Sequence, residues 1–174
     1  MMDLVIGAGE KQKVVLVHDI PESASRRIVL AGEGASVEVE EVFVSGGIAS
    51  ALRIEHAAKG TRSNVSSRGV VGKGEQVRAH AKVVIPKGMQ GCDTRVVQKF
   101  LLLDESAKVD ALPAFEIEES DVQASHAAAV APLDEGAVFY LASRGMDESE
   151  ARTLLVRGFL RVPSGFEHVV KKWQ

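Results

Sequence analysis

"SVEVEEVFVSGG" at positions 36–47 sets the pattern from which the fold is read. Val37 and Val39 face one way and Glu38 and Glu40 the other, the period of a half-buried strand, and the run stops at a glycine pair. The same motif of a short apolar run ended by a turn cluster recurs on both sides. Upstream are "KVVLVH" (13–18) and "RIVL" (27–30). Downstream follow "SALRIEHAA" (50–58), "SNVSSRGVV" (63–71), "QVRAHAKVVIP" (76–86), "RVVQKFLLL" (95–103), "AKVDALPAFEI" (107–117) and "DVQASHAAAV" (121–130). The breaks are "AGEG", "VGKGE", "PKGMQGCD" and "LLLDES", with no Asn-Gly to mark a tight hairpin. Nine short strands without an intervening helix predict an all-β body, either a sandwich or a solenoid in which each coil covers the one before. There is no strict repeat to choose between them.

Composition agrees with thin strand layers. Aromatic residues make up 5% of the 174 residues, and the core must be built from Val, Ala and other small side chains. A net charge of -3 gives no field to gather nucleic acid or anionic lipid, so neither is an expected partner. No apolar run reaches the length of a membrane span, and the start "MMDLVIGAGEKQ" lacks the build of a signal peptide. With Cys92 as the single cysteine, an internal disulfide is impossible and the cytosol is the expected compartment.

After Pro132 the apolar period lengthens, dividing the chain into a β body over 1–132 and a helical region over 133–174. "LDEGAVFYLASRG" predicts a helix opening at Asp134 and Glu135, with Val138, Leu141 and Ala142 inward and Gly145 as its left-handed stop. "DESEARTLLVRGFL" predicts a second helix with Asp147 as N-cap, Glu150 completing an acidic capping box, and an apolar stripe of Ala151, Leu154, Leu155 and Phe159. Neither helix has a basic recognition face. In the tail "RVPSGFEHVVKKWQ", Trp173 is a candidate partner contact.

The run "ALPAFEIEESDVQASHAAAVAPLDEGAVFYLASRGMDESEARTLLVRGFL" carries a more specific signal. Its ordered features are Pro113, Glu116–Ile117, Asp121–Val122, Ser125–His126, Leu133–Asp134, Phe139 through Gly145, Ala151, Leu154–Leu155 and Gly158–Phe159. It resembles the C-terminal core of the SufB/SufD family of iron–sulfur cluster assembly proteins. The resemblance implies a right-handed parallel β-helix closed by C-terminal helices. It also implies a scaffold that works with a separate ABC-type ATPase, SufC, docked on the helical region. Two scaffold subunits would pair through their β-helices, with a nascent cluster forming at the junction. The pair would be a self-pair or a pair with a SufB-type subunit.

The chain is shorter than typical members and departs from the SufB pattern. Ala107 and Ile117 stand where that branch has cysteines, and Ala127 follows the shared histidine in place of a glutamate. That places it closer to SufD, whose matched histidine contributes to the scaffold-pair interface. A degenerate member that keeps the fold without the assembly role is the alternative.

His126 is therefore the main candidate site: a neutral imidazole on a strand of alanines, suited to bind iron or a cluster edge whose other ligands come from another subunit. The competing reading is a histidine satisfied by a strand carbonyl, or simply exposed. Any cluster would be transient and none would be held stably by one chain, since clusters take several thiolates. Cys92, Glu116 and Glu118 are weaker candidates, a structural thiol and a solvated strand face being the plainer readings. Tyr140, Ser143, Arg144 and Gly145 form the candidate docking end of the first helix, Tyr and Arg being types enriched at binding hot spots. His56 and His80 have no ligand spacing.

No catalytic motif is present. "GVVGKGEQ" lacks the spacing of a phosphate loop, and the His18–Asp19 pair on a strand points to opposite faces with no serine elbow following. An accessory protein is expected, not an enzyme. A β-solenoid enzyme using His126 as general base is the remaining catalytic alternative.

Overall fold

The computed structural model describes residues 2–162 together with 165 and 166, so Trp173 lies outside the described residues. Ten strands precede two helices: β1 (Met2–Ile6), β2 (Lys11–His18), β3 (Ser23–Leu30), β4 (Ser36–Phe43), β5 (Ile48–His56), β6 (Arg62–Val71), β7 (Gln76–Ile85), β8 (Cys92–Leu102), β9 (Lys108–Ile117), β10 (Val122–Pro132), α1 (Glu135–Ala142) and α2 (Glu148–Leu160). Odd and even strands separate into two five-stranded sheets, ordered β1-β3-β5-β7-β9 and β10-β8-β6-β4-β2. Every pairing is parallel. Each coil thus lays one strand on each sheet and the chain climbs as a β-solenoid. The sandwich alternative is not what forms. The predicted strands all appear with ends shifted by a few residues, and β1 is an additional one.

The register stacks like upon like. In the even sheet Val14, Val39, Val65 and Val96 form one inward row, and His126 ends it. In the odd sheet Leu4, Ile28, Ile54, Val83 and Phe115 form the row that meets it. These rows make the main core. A second interior cluster holds Phe43 and Phe100, whose ring centroids lie 5.4 Å apart. Gly69 is the rung between them, and a Cβ there would stand 2.5 Å from the Phe100 ring, so the two phenylalanines can meet only across a glycine. The turns need left-handed backbone: Gly34 and Gly60 sit at φ +70 and +63.

Outward rows are charged and paired. Asp3, Arg27, Arg53 and Lys82 share one row across the odd sheet, which would set three cations side by side. Glu55 answers two of them at 2.5 Å each, and those hydrogen bonds from Arg27 and Arg53 hold its carboxyl down at about 2. Lys82 pairs with Glu116.

The helices cover the far end of the even sheet's outer face. Val138, Ala151, Val156 and Leu160 pack on Val42, Val44, Val70, Leu101 and Leu133. Asp134 caps α1 by accepting from Gly136 N at 2.9 Å, and Asp147 caps α2 by accepting from Ser149 N at 2.8 Å. The buried stripe of α2 is rotated from the expected one. Val156 and Leu160 are in and Leu154 is 50% exposed, because the 151–155–159 line has its buried neighbours on the 156–160 side. Among the described residues no helix is long and apolar enough to cross a membrane.

Candidate functional site at the C-terminal coil and helical pair

Among the described residues β10 is the last strand of the even sheet and pairs only with β8, its other edge being unpaired. From Val122 to Pro132 it carries no charged side chain, and nearly all of it is exposed. Edge strands of soluble proteins are ordinarily blunted by charge, bulges or cover, because unpaired N–H and C=O groups template further pairing. This one is left plain.

His126 lies at its middle. It belongs to the inward row, yet it is exposed because no further coil among the described residues covers β10. Phe115, reaching over from β9, meets the imidazole edge-to-face with centroids 4.9 Å apart at 72°. Among the described residues no hydrogen bond holds the ring, so the reading of a histidine satisfied by a strand carbonyl does not apply. The exposed ring stands over the Val96 rung and has Phe115 at its side.

The weaker candidates are not gathered around it. Cys92 begins β8 beside Val122, is 1% exposed, and lies 3.2 Å from the Thr61 hydroxyl and 3.5 Å from the Ala58 carbonyl. Glu116 is on the outer face of the odd sheet, where the Lys82 ammonium lowers its carboxyl below the usual range. Glu118 is exposed just past β9, its amide donating to the Ile85 carbonyl. Ala107 and Ile117 both sit against the core, so cysteines at those positions would face inward here. Among the described residues no three His, Cys, Asp or Glu side chains are grouped to hold a metal ion. A groove of about 750 Å³ on the outer face of the even sheet includes Lys13, Glu38, Arg62 and Arg95 and stops at Ser125, short of His126.

The four helical candidates do come together. The Arg144 guanidinium lies 5.2 Å from the centre of the Tyr140 ring and donates to its hydroxyl at 3.4 Å. Ser143 donates to the Tyr140 carbonyl at 2.7 Å, and Gly145 makes the left-handed turn at φ +92. Phe139 and Tyr140 are 75% and 57% exposed. Beside them a shallow groove of about 490 Å³ is lined by Met146, Ser149, Glu150, Thr153, Leu154 and Arg157. Leu154, misplaced by the helical period, turns out to belong to this exposed apolar face. Arg152 fixes the pair by bridging Glu135 at 2.7 Å and Glu148 at 3.1 Å.

Sequence reading missed a second group of polar residues, inside the solenoid. His18, Glu41, Ser50 and Ser67 are buried, as are His56, Thr61, Ser63 and Thr94. His56 lies 2.8 Å from the Thr61 hydroxyl and 2.9 Å from that of Ser63, and burial pushes its imidazole down to about 4, so it stays neutral. The signal was in the alternation: continuing Val37, Val39 by two places puts Glu41 indoors.

Comparison with known proteins is consistent with the geometry. The family model "SUF system FeS cluster assembly, SufBD core domain" matches residues 22–159. An iron–sulfur cluster assembly SufBD family protein of Mycobacterium tuberculosis is 34% identical over 134 residues, covering 75% of this chain and 16% of that protein. One from Mycobacterium leprae is 34% identical over 147 residues, covering 78% of this chain and 37% of the relative. A further Mycobacterium tuberculosis relative is 38% identical over 119 residues, 63% of this chain and 30% of its own length. The chain thus spans well under half the length of these relatives.

Proposed function

Because this chain belongs to the SufBD family of iron–sulfur cluster assembly proteins, we propose that it is a SufD-like scaffold subunit and not an enzyme. It pairs through the open edge of β10 with a second copy or with a SufB-type subunit, and it presents the α1–α2 couple to a SufC-type ABC ATPase. A transient cluster forms between chains, His126 supplying a nitrogen ligand or shaping the interface, with thiolates coming from the partner. The observation that carries this reading is the exposed His126, without a hydrogen bond among the described residues, on an uncharged strand whose second edge none of them pairs. The exposed Phe139, Tyr140 and Leu154 beside Arg144 support the docking face, since aromatic and Arg side chains anchor many interfaces.

Anaerobic reconstitution with iron and sulfide tests it. Cluster absorption is expected with the ATPase and a cysteine-bearing partner and not with this chain alone, and it is expected to fall with His126→Ala. Equal cluster yield from that variant contradicts the assignment of His126. Absence of a cluster under every condition favours the degenerate-member reading, to which alanine at 107 and isoleucine at 117 lend weight.

A further inference from the structure

The outer faces of the two sheets treat their cations differently. On the odd sheet Arg78 and Asp110 are neighbours on one rung and form an ion pair at 3.3 Å. Arg27, Arg53 and Lys82 are likewise each paired with a carboxylate. On the even sheet Arg62 and Asp93 stand in the same rung relation, yet they form no ion pair. The groove of about 750 Å³ on this face is lined by Lys11, Lys13, Arg62 and Arg95 against Glu38 and Asp93, all of them exposed. Among the described residues only Lys13 of these cations has an ion pair, to Glu40 at 2.9 Å. Cations are in excess here although the chain as a whole carries a charge of -3.

Two guanidinium forks without a carboxylate can each offer parallel N–H donors to an oxyanion, so the groove fits an anionic ligand. The order of its charges narrows the class. One rung reads Lys11, Ser36, Arg62, Asp93 and the next Lys13, Glu38, Asn64, Arg95, so an acid interrupts the cations in each. A nucleic-acid strand is charged at every unit and would set phosphates against Glu38 and Asp93. The groove also has no aromatic ring on which a base could stack. A peptide can place carboxylates over the cations and neutral or basic side chains over the acids, and the two acids then select against a uniform polyanion. Strands β4, β6 and β8 are paired on both sides, so recognition here runs through side chains. We propose that this groove docks an extended acidic segment of a partner protein, with Arg62 and Arg95 as the anchors for its carboxylates. The groove lies apart from the His126 ring and from the α1–α2 face, so its ligand can be lost while theirs are kept.

Fluorescence anisotropy of the full chain with a labelled peptide of alternating glutamate and serine, at low salt, tests the proposal. Saturable binding is expected, and it should weaken as salt is added because exposed charges are screened. Arg62→Glu together with Arg95→Glu should weaken it by about tenfold or more. Arg62→Gln together with Arg95→Gln should weaken it by about threefold or more, and this milder pair keeps the test decisive should charge reversal disturb the sheet. Arg78→Glu with Lys108→Glu makes the same change of net charge on the odd sheet, and should alter binding by less than about twofold across that distance. A labelled single-stranded oligothymidylate should bind more weakly than the acidic peptide. No saturable binding of the peptide, binding that survives both arginine pairs, equal weakening by the odd-sheet pair, or an oligothymidylate that binds as tightly as the peptide overturns the proposal.

Discussion

The two ends of the solenoid solve the same problem in opposite ways. At the first coils charge is drawn inside: His18, Glu22, Arg26 and Glu41 meet between the sheets, and β2 opens with Lys11 and Lys13 at its edge. On the last strand of the even sheet charge is withdrawn, β10 running uncharged for 11 residues with one histidine at its centre. Lysines on an edge discourage further strands, while a neutral edge of small side chains accepts one. The contrast teaches that the ends are not equivalent. The first is closed by paired charge, and the last is the surface that the proposed function assigns to a second chain.

The largest effect on folding should come from breaking that closure. Glu41→Ala removes the acceptor of the buried Ser50 and Ser67 hydroxyls, a loss of about 2–4 kcal/mol, since each buried polar group left unsatisfied costs about 1–3 kcal/mol. Urea melts near neutral pH would measure it, and a change below about 1 kcal/mol would mean that these hydroxyls do not depend on Glu41. Acid should act next. His56 is neutral in the fold and its native value lies near 4, below its ordinary value. The unfolded chain therefore binds the proton first. Stability from this group is complete above about pH 6.5, declines as pH falls, and levels off near pH 4, at a cost of up to about 3 kcal/mol. Denaturation curves from pH 7 to 4 should show this slope, and His56→Gln should flatten it.

The smallest effects on stability are predicted at the open end, where those on function are greatest. His126→Ala should shift stability by less than about 1 kcal/mol, since the ring is exposed and held by one aromatic contact. Arg144→Glu should likewise leave the melting temperature nearly unchanged while weakening capture of the ATPase, and capture unaffected by the variant would remove the docking role from that end of α1. If either substitution unfolded the chain, the distinction between a structural end and a mating end would fail.

Much of this was readable beforehand, and the failures have physical causes. Strands β4 to β8 follow simple alternation, so their positions were legible. β1 was not, being five residues next to the start and stabilised by pairing with a strand 24 places further along. Solenoid and sandwich share one alternating pattern, because periodicity reports which face is buried and not which strand lies alongside. Glu41 was hidden because a carboxylate in a strand reads as surface; only the hydroxyls of Ser50 and Ser67, brought in by other coils, make its burial tolerable. The caps at Asp134 and Asp147 were local and therefore legible, whereas the exposure of Leu154 depends on where the sheet lies. His126 was found by motif, but its inward register and its contact with Phe115 came only with the coils in place.

The central claim is that the β10 edge exists to be joined by another chain. Sedimentation equilibrium of the chain, alone and mixed with a SufB-type subunit, tests it directly, with the double variant Ala127→Lys and Ala129→Lys as the control. A pair is expected for the unaltered chain in at least one of these mixtures, and monomers for the lysine variant at unchanged melting temperature. A chain that stays monomeric in both, or a lysine variant that pairs as well as the original, would contradict the account.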